Sequence, residues 1–461
     1  MTTQERVEIL VVGAGLAGIA TSYYLCTKHK QASVLLVDCR PPMSYTSAQS
    51  GDNYRNWWPH PTMTAFTNTS IELMEQIARD SRNVLHMTRR GYLLATRESN
   101  IDSLIDSLYA GYEKSPADSI RVHTTPNPCS YAEAVTAAWG SAPRGVDVLS
   151  NQALIRQSFP SLSHEVNNAL HVRRAGDING QQLGQYMLER IKETNGSRLS
   201  AEVLSIKSGH EFVVEVEAVN GRRHITADVI VNAAGPFAKT VAAMIDVDLP
   251  IDNIYHQKIA FNDQQSVIPR QLPFSCDLDD ICFDWNADDR ALLAEDAETA
   301  WLTQKLPGGA HCRPEGGDRS TWVKLGWAYN KSPSAAQADL ANEPLRNPQF
   351  PEIAMRAAAR LNPSLRAYVD NFPSQFVHYG GYYSMTCENW PLIGPLSVEG
   401  AYVVGALSGF GSMSACAAGA LCAAWITGDE LPDYAAQLSM ARYADRELMA
   451  DLENAQSLGI L

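Results

Sequence analysis

The sequence predicts an α/β protein in which one parallel sheet is assembled from three separated stretches of chain. Each stretch predicts a buried strand that ends in small residues and glycine: "VEILVVGAGLAG", "ADVIVNAAGP" and "AYVVGALSGFGS". Continuous apolar runs of this length are typical of strands covered on both faces. The more polar segments between them predict a second domain.

The predicted domain boundaries follow from these stretches. Small residues at the end of a strand either admit a flat or phosphorylated ligand or form a packing turn. Both interpretations stay open for the turns that end "ADVIVNAAGP" and "AYVVGALSGFGS". The first domain is expected to take residues 1–83, 151–245 and 379–435, the second 84–150 and 246–378, and a helical tail 436–461.

Composition narrows the class of protein. The chain has 461 residues, of which 45% are hydrophobic and 19% charged, so it can bury a large core and is not expected to be disordered. Its formal net charge of −14 disfavours nucleic acid and anionic membrane surfaces as partners. The uncharged stretch 401–426 is long enough to span a bilayer. Its Gly, Ser and Ala content instead predicts a buried strand, a loop and a buried helix, and no membrane span.

Nine cysteines are scattered without a CxxC pair. This spacing favours free thiols in a reducing compartment over a disulfide framework or a metal site. The first apolar run turns at glycine almost at once and lacks the hydrophobic region of a signal peptide. We therefore expect a cytoplasmic protein without a bound metal.

The strongest motif is at the N-terminus. Gly13, Gly15 and Gly18 give the GxGxxG spacing between a buried strand and a helix, and Asp38 ends the next strand. The first glycine permits the turn, the second admits a pyrophosphate, and the third lets the helix pack on the strand. The free N–H groups of the helix then face the phosphates, and the acid can accept from ribose hydroxyls. This predicts a Rossmann-like dinucleotide site but does not separate NAD from FAD.

Three segments taken together resemble the D-amino-acid-oxidase superfamily, and within it the sarcosine-oxidase-like amine oxidases. They are the N-terminal unit, "ADVIVNAAG" and "TCENWPLIGP…VVGALSGFGSMSA". The resemblance runs from about residue 7 to 430. It implies a Rossmann-like FAD-binding domain and a mixed-sheet α+β substrate domain. FAD is then the cofactor, and we expect it to be held without a covalent bond, because the branch's attachment cysteine falls on Gly381. The cofactor contacts that it implies are Gly13, Gly15, Leu16, Ala17, Gly18, Asp38, Cys39, Arg40, Ser47, Ser50, Gly51, Val203, Ala234, Gly235, Ser408, Gly409, Phe410, Gly411, Ser412 and Met413.

This chain departs from the family at the residues that usually hold a substrate carboxylate. The family's HGDTRxxR loop corresponds to "SGDNYRNWW", which puts Tyr54 and Trp57 where the two arginines stand and displaces Arg55 by one position. The family lysine of "SGHGFK" falls on Met413, and an arginine used by other members falls on Tyr383. A methionine thioether cannot pair with a carboxylate.

These replacements predict an aromatic, weakly cationic pocket. Either the substrate has no carboxylate there, or a relocated cation such as Arg55 or Arg313 binds it. Trp57 and Trp58 alternatively pack between the domains, as tryptophans commonly do. The predicted substrate contacts are Tyr54, Trp57, Trp58, Phe410, Met413 and Arg313, and the predicted catalytic residues are Lys324, Tyr383 and Arg55.

Lys324 lies in "STWVKLGWAYN", which resembles the family strand whose lysine promotes the reaction of the flavin with oxygen. A fixed positive charge would stabilise developing superoxide. The alternative is a lysine at a sheet edge, which prevents strands of other molecules from pairing there.

The resemblance implies an FAD-dependent oxidase of an amine or amino-acid-derived C–N bond. A hydride passes to the flavin, the imine hydrolyses, and O2 reoxidises the flavin to give H2O2. One alternative is a dehydrogenase that oxidises an amino acid or 2-hydroxy acid and passes electrons to another acceptor. A non-catalytic flavoprotein assembly factor is the second alternative.

Overall fold

The computed structural model describes residues 4–31, 33–112, 119–126, 131–133, 139–194, 196–317, 319–369 and 371–455. The predicted α/β class is confirmed. The described strands are β1 Gln4–Val12, β2 Val34–Asp38, β3 Asn53–Arg55, β4 Tyr92–Thr96, β5 Ile120–His123, β6 Val146–Leu149, β7 Asn168–Val172, β8 Ala175–Asp177, β9 Gly196–Lys207, β10 Phe212–Ala218, β11 Gly221–Asn232, β12 Asp252–Asn262, β13 Phe274–Asp277, β14 His311–Pro314, β15 Trp322–Gly326, β16 Phe376–Met385, β17 Leu392–Pro395 and β18 Ala401–Gly405.

The helices connect and cover these strands. The described α-helices are α1 Leu16–Thr27, α2 Pro61–Asp80, α3 Asp102–Gly111, α4 Gln152–Ser158, α5 Gly180–Lys192, α6 Ala238–Ala243, α7 Ala287–Glu295, α8 Phe350–Leu361, α9 Gly411–Thr427 and α10 Arg446–Ala455. The predicted tail therefore contains one described α-helix after two short 3-10 helices, Ala436–Leu438 and Met440–Ala444, and residues 456–461 lie outside the described part of the chain.

A seven-stranded sheet brings the three predicted stretches together. β1 pairs in parallel with β2 and β11, and β11 pairs in parallel with β18. β9, β10 and β11 form an antiparallel meander, as the alternating segment before "ADVIVN" predicts. The carboxyl ends of β1, β11 and β18 therefore meet at one edge, which is where an open α/β sheet binds ligands.

The uncharged stretch near the C-terminus forms β18, a short loop and helix α9. The helix packs so closely on α1 that a Cβ at Gly419 would lie 2.5 Å from the backbone of Ala20. Ser408–Thr427 is long and apolar enough to cross a membrane by length and composition, but 72% of this window is buried inside the molecule. The prediction of a buried strand, loop and helix is confirmed.

The second sheet has nine strands in the order β16-β12-β15-β14-β13-β4-β7-β6-β5 and is mixed. β7 and β16 belong to it, although the predicted boundaries assign residues 168–172 and most of 376–385 to the first domain. Both strands extend the second sheet through backbone pairing, which the sequence pattern does not reveal. The division into domains stays a prediction.

Candidate functional site

A cavity of about 390 Å³ lies at the carboxyl edge of the seven-stranded sheet and reaches the second sheet through β12 and β16. Sixteen of the twenty predicted cofactor contacts line it: Gly13, Gly15, Leu16, Ala17, Asp38, Cys39, Arg40, Ser47, Ser50, Val203, Ala234, Gly235, Ser408, Gly409, Gly411 and Ser412. Gly18, Gly51, Phe410 and Met413 are not among its lining residues. The cavity thus joins the predicted dinucleotide turn to a face of the second sheet.

The three fingerprint glycines have different roles. Gly13 has φ +109°, and a Cβ there would collide with the carbonyl oxygen of Ala233. A Cβ at Gly18 would collide with the carbonyl oxygen of Gly13, so both glycines permit close backbone packing. Around Gly15 the nearest atom to a Cβ is Ser47 Oγ at 3.4 Å, so this glycine borders open space. That cradle fits a pyrophosphate at the start of α1.

Asp38 is held rigidly at the end of β2. One carboxylate oxygen accepts from the Ala14 N–H at 2.7 Å and the other from the Arg40 N–H at 2.8 Å. A carboxylate has further lone pairs, and these can accept ribose hydroxyls from the cavity. The Arg40 guanidinium stacks on Tyr45 at 4.8 Å and on Phe237 at 5.1 Å.

Helix α9 begins at the other end of the cavity. Gly409 packs directly against the ring of Tyr383, leaving no room for a Cβ. Ser412 in the first turn donates to Asp52 at 2.9 Å and lies 2.6 Å from Ser50 Oγ. The helix has no acidic residue of its own in the first turn, and the carboxylate beside its start is that of Asp52.

All three aromatic side chains of the "NYRNWW" segment lie in the interior. Tyr54 and Trp57 are fully buried, and the Tyr54 hydroxyl donates to the Thr88 carbonyl oxygen. Trp57 packs in the core beneath the second sheet, with Tyr92 among its neighbours. Neither side chain lines the cavity. The two positions that match the family's arginines are therefore occupied in this chain by side chains that pack in the core.

Arg55 and Trp58 continue this packing. The Arg55 guanidinium is 1% exposed and is sandwiched between Trp58 at 4.4 Å and Tyr92 at 5.0 Å. Trp58 in turn meets Phe410 edge to face at 4.9 Å. Met413 belongs to the same buried cluster. Phe410 directly precedes α9 and Met413 lies in its first turn, but neither they nor Arg55 and Trp58 line the cavity.

The two other predicted cations are engaged by carboxylates. Arg313 is 4% exposed, pairs with Glu315 at 2.6 Å and Asp177 at 3.5 Å, and donates to the Gly51 carbonyl at 2.7 Å. Lys324 Nζ lies 3.1 Å from the same Glu315. Burial lowers the pKa of Lys324 and Arg313 lowers it further, while Glu315 acts in the opposite direction.

The cavity also contains a cation that the sequence reasoning missed. Lys258 on β12 lines it beside Tyr383, with Nζ 5.2 Å from the centre of that ring. The signal was a lysine inside the otherwise buried strand segment "IYHQKIAF". Two histidines on the same sheet face remain neutral at ordinary pH, because burial lowers the pKa of His256 to about 3 and of His311 to about 4.

A family comparison agrees with this geometry. Residues 8–425 match the DAO family, described as FAD-dependent oxidoreductases, so the chain belongs to that family. The protein is therefore an FAD-dependent oxidoreductase, and the resemblance to the D-amino-acid-oxidase superfamily is confirmed. The open cradle at Gly15, the exposed lone pairs of Asp38 and the start of α9 fit FAD. Within the described residues, no group of three or more His, Cys, Asp or Glu could hold a metal ion.

Solved structures share the fold at low sequence identity. L-proline dehydrogenase from P. horikoshii is 18% identical with a TM-score of 0.70, over 96% of this chain and 99% of that chain. Glycine oxidase from Geobacillus kaustophilus is 14% identical with a TM-score of 0.65, over 95% and 99%. Iminodiacetate oxidase from Chelativorans sp. is 15% identical with a TM-score of 0.64, over 94% and 98%.

Proposed function

We propose that the protein is an FAD-dependent oxidase of C–N bonds in an amine or amino-acid-derived substrate. The observation that carries this proposal is a continuous cavity that runs from the dinucleotide cradle at Gly15 to the sheet face with Tyr383 and Lys258. The names of the structural neighbours, which include glycine oxidase, iminodiacetate oxidase and L-proline dehydrogenase, support the choice of a C–N bond. FAD bound in this cavity would supply the acceptor for a hydride from the carbon next to nitrogen, and would pass the two electrons on to a second acceptor.

The residues of the chain orient the substrate and control its charge. Tyr383 presents its ring to the cavity and is held in place by Gly409. The ammonium group of Lys258 and the partial exclusion of water from the cavity both favour the neutral form of a substrate amine. The neutral amine is the form that can lose a hydride. His256 and His311 stay neutral and add no competing positive charge.

Oxygen as the electron acceptor, with H2O2 as product, belongs to this proposal. Lys324 lies on β15, its side chain is 18% exposed, and its ammonium group forms an ion pair with Glu315. Because Glu315 offsets that charge, a dehydrogenase that passes electrons to another acceptor is the second candidate. The two candidates differ in the rate of reoxidation by air.

Anaerobic reduction tests the proposed function. Holoprotein would be mixed without oxygen with amines, amino acids and the matching 2-hydroxy acids, and flavin absorbance would be followed. We expect bleaching by C–N substrates and none by hydroxy acids. Rapid recovery in air with one equivalent of H2O2 would support the oxidase, whereas slow recovery in air and fast recovery with a quinone would support the dehydrogenase. Bleaching by hydroxy acids alone, or by no compound, would contradict the proposal.

Lys324→Met tests the oxygen step. Lys324 does not line the cavity, but it pairs opposite Ala260, two residues along β12 from the lining residue Lys258. We expect the rate constant for reoxidation by O2 to fall at least tenfold, because a positive charge at this distance stabilises developing superoxide. The rate of anaerobic reduction should change less than threefold. Lys324→Arg retains the charge and is the matched control. Stopped-flow measurement of both half-reactions checks this, and an unchanged oxygen rate in Lys324→Met would exclude the role.

A further inference from the structure

Two serine hydroxyls form the wall of the cavity where helix α9 begins. Ser412 is in the first turn of α9, Ser50 lies in the loop before β3, and both line the cavity. Their hydroxyl oxygens are 2.6 Å apart. The carboxylate of Asp52 lies behind them and does not line the cavity. The three side chains therefore form one hydrogen-bonded group, of which only the serines face a ligand.

The carboxylate fixes the direction of the hydrogen bonds in this group. Ser412 donates its one hydroxyl hydrogen to Asp52 Oδ1 at 2.9 Å, and an ionised carboxylate can only accept. Ser50 must then donate in its contact with Ser412, and it accepts from the Asp52 backbone N–H at 3.0 Å. Because both hydroxyl hydrogens are used within the group, the two serines can only accept hydrogen bonds from a ligand in the cavity.

Asp52 is held between the starts of two helices. Its Oδ2 accepts from the Gly180 N–H at the start of α5 at 3.1 Å, and a Cβ at Gly180 would lie 2.7 Å from Oδ1. The residue has φ +56°, a left-handed conformation that glycine, asparagine and aspartate adopt most readily. Helix α5 has its own cap, because the Asn179 side chain accepts from the Gln182 N–H at 2.9 Å. The Asp52 carboxylate is therefore not needed to start that helix.

The charge of Asp52 is balanced mainly by helix dipoles. Among the described residues, it forms no salt bridge. Arg313 and Lys324 both feel its field, but their ion pairs are with Glu315 and Asp177. The positive ends of α9 and α5 meet the carboxylate directly through Ser412 and Gly180. The negative charge is thus one hydrogen bond away from the cavity, and no cation neutralises it by contact.

We propose that Asp52 is a positioning residue that lowers the reduction potential of the bound FAD. The Gly15 cradle fits the pyrophosphate, which leaves the isoalloxazine ring for the side of the cavity with Tyr383 and the start of α9. The carboxylate opposes the negative charge of a reduced flavin, and the serines offer that flavin no hydrogen-bond donor. Both effects favour the oxidised cofactor. The inference concerns the cofactor alone, so it holds for an oxidase and for a dehydrogenase.

The reduction potential of the holoprotein tests this role. Protein would be reduced slowly together with a reference dye, and the absorbance of flavin and dye would be followed. We expect Asp52→Asn to shift the equilibrium about tenfold or more towards reduced FAD, which is about 30 mV for a two-electron couple. Asparagine keeps the left-handed backbone and the size of the side chain but removes the charge. Ser412→Ala should shift the equilibrium in the same direction by about threefold to tenfold, because the Ser50 hydroxyl can then donate into the cavity.

Glu352→Gln is the matched control. Glu352 lies in the first turn of α8, its side chain is 57% exposed, and it does not line the cavity. We expect the same loss of charge there to shift the equilibrium by less than about twofold. FAD content and thermal melting would confirm that each variant is folded and loaded.

Three results would overturn the proposal. They are an unchanged potential in Asp52→Asn, a lowered potential in that variant, and equal shifts in Asp52→Asn and Glu352→Gln. Asp52→Gly, whose backbone suits φ +56°, takes the place of the asparagine variant if that variant loses FAD. Ser412→Ala decides if neither variant retains FAD, and an unchanged potential there would also overturn the proposal. No substrate is needed, so the result stands even if no C–N compound bleaches the flavin.

Discussion

Replacing Arg442 with methionine is expected to lower the free energy of unfolding by about 3 to 5 kcal/mol, the usual cost of removing one partner of a buried ion pair. Arg442 donates to Glu388 at 2.5 Å and to the Pro391 carbonyl at 2.7 Å, and both charged side chains are almost completely buried. Burial alone would raise the pKa of Glu388, but the guanidinium holds it below its ordinary value. The ion pair of Arg442 and Glu388 connects the C-terminal segment to the loop between β16 and β17.

The matched control is Arg356→Met. Arg356 pairs with Glu352 one turn away on α8 at 2.9 Å, but both side chains are partly exposed. An exposed pair of this kind contributes about 0.3 to 0.5 kcal/mol. Urea unfolding of the two variants measures the difference. A loss below about 1 kcal/mol for Arg442→Met would show that the buried pair does not hold the C-terminal segment.

Replacing Gly13 with alanine is expected to abolish FAD binding at micromolar concentrations. The φ of +109° is unfavourable for alanine, and the new Cβ would collide with the Ala233 carbonyl oxygen. Both the turn after β1 and its contact with the end of β11 would have to shift, moving the N–H groups of α1 away from the phosphates. Titration of apoprotein with FAD, followed by flavin fluorescence, gives the dissociation constant, which we expect to rise at least 100-fold.

Gly15→Ala separates the two causes of that loss. Gly15 has φ −73°, which alanine adopts freely, and its Cβ would meet only Ser47 Oγ at 3.4 Å. We expect the apoprotein to keep its melting temperature while FAD affinity falls, because the methyl group enters the space of the pyrophosphate. Gly13→Ala should lower both. Equal FAD affinity for Gly15→Ala and the unsubstituted protein would place the phosphates elsewhere.

The dinucleotide site was predictable because its determinants are local. Gly13, Gly15 and Asp38 act through the turn, the helix start and the strand end on which they stand, so spacing along the chain carries the geometry. The glycine turn near Ser408 and the buried helix after it were also readable from one segment. The roles of the loop aromatics were not readable, because Tyr54 and Trp57 could face either a pocket or the core.

The α/β class, the dinucleotide turn, the burial of the uncharged helix and the family all follow from short-range patterns in the sequence. The pairing of the buried charges does not, because it depends on contacts between distant parts of the chain. Arg313 on β14 meets Asp177 on β8, a strand far from it in the sequence, and Lys258 lies opposite Tyr379 only through the register of β12 with β16. The physical reason is that the free energy of a buried charge depends on neighbours that long-range pairing brings together.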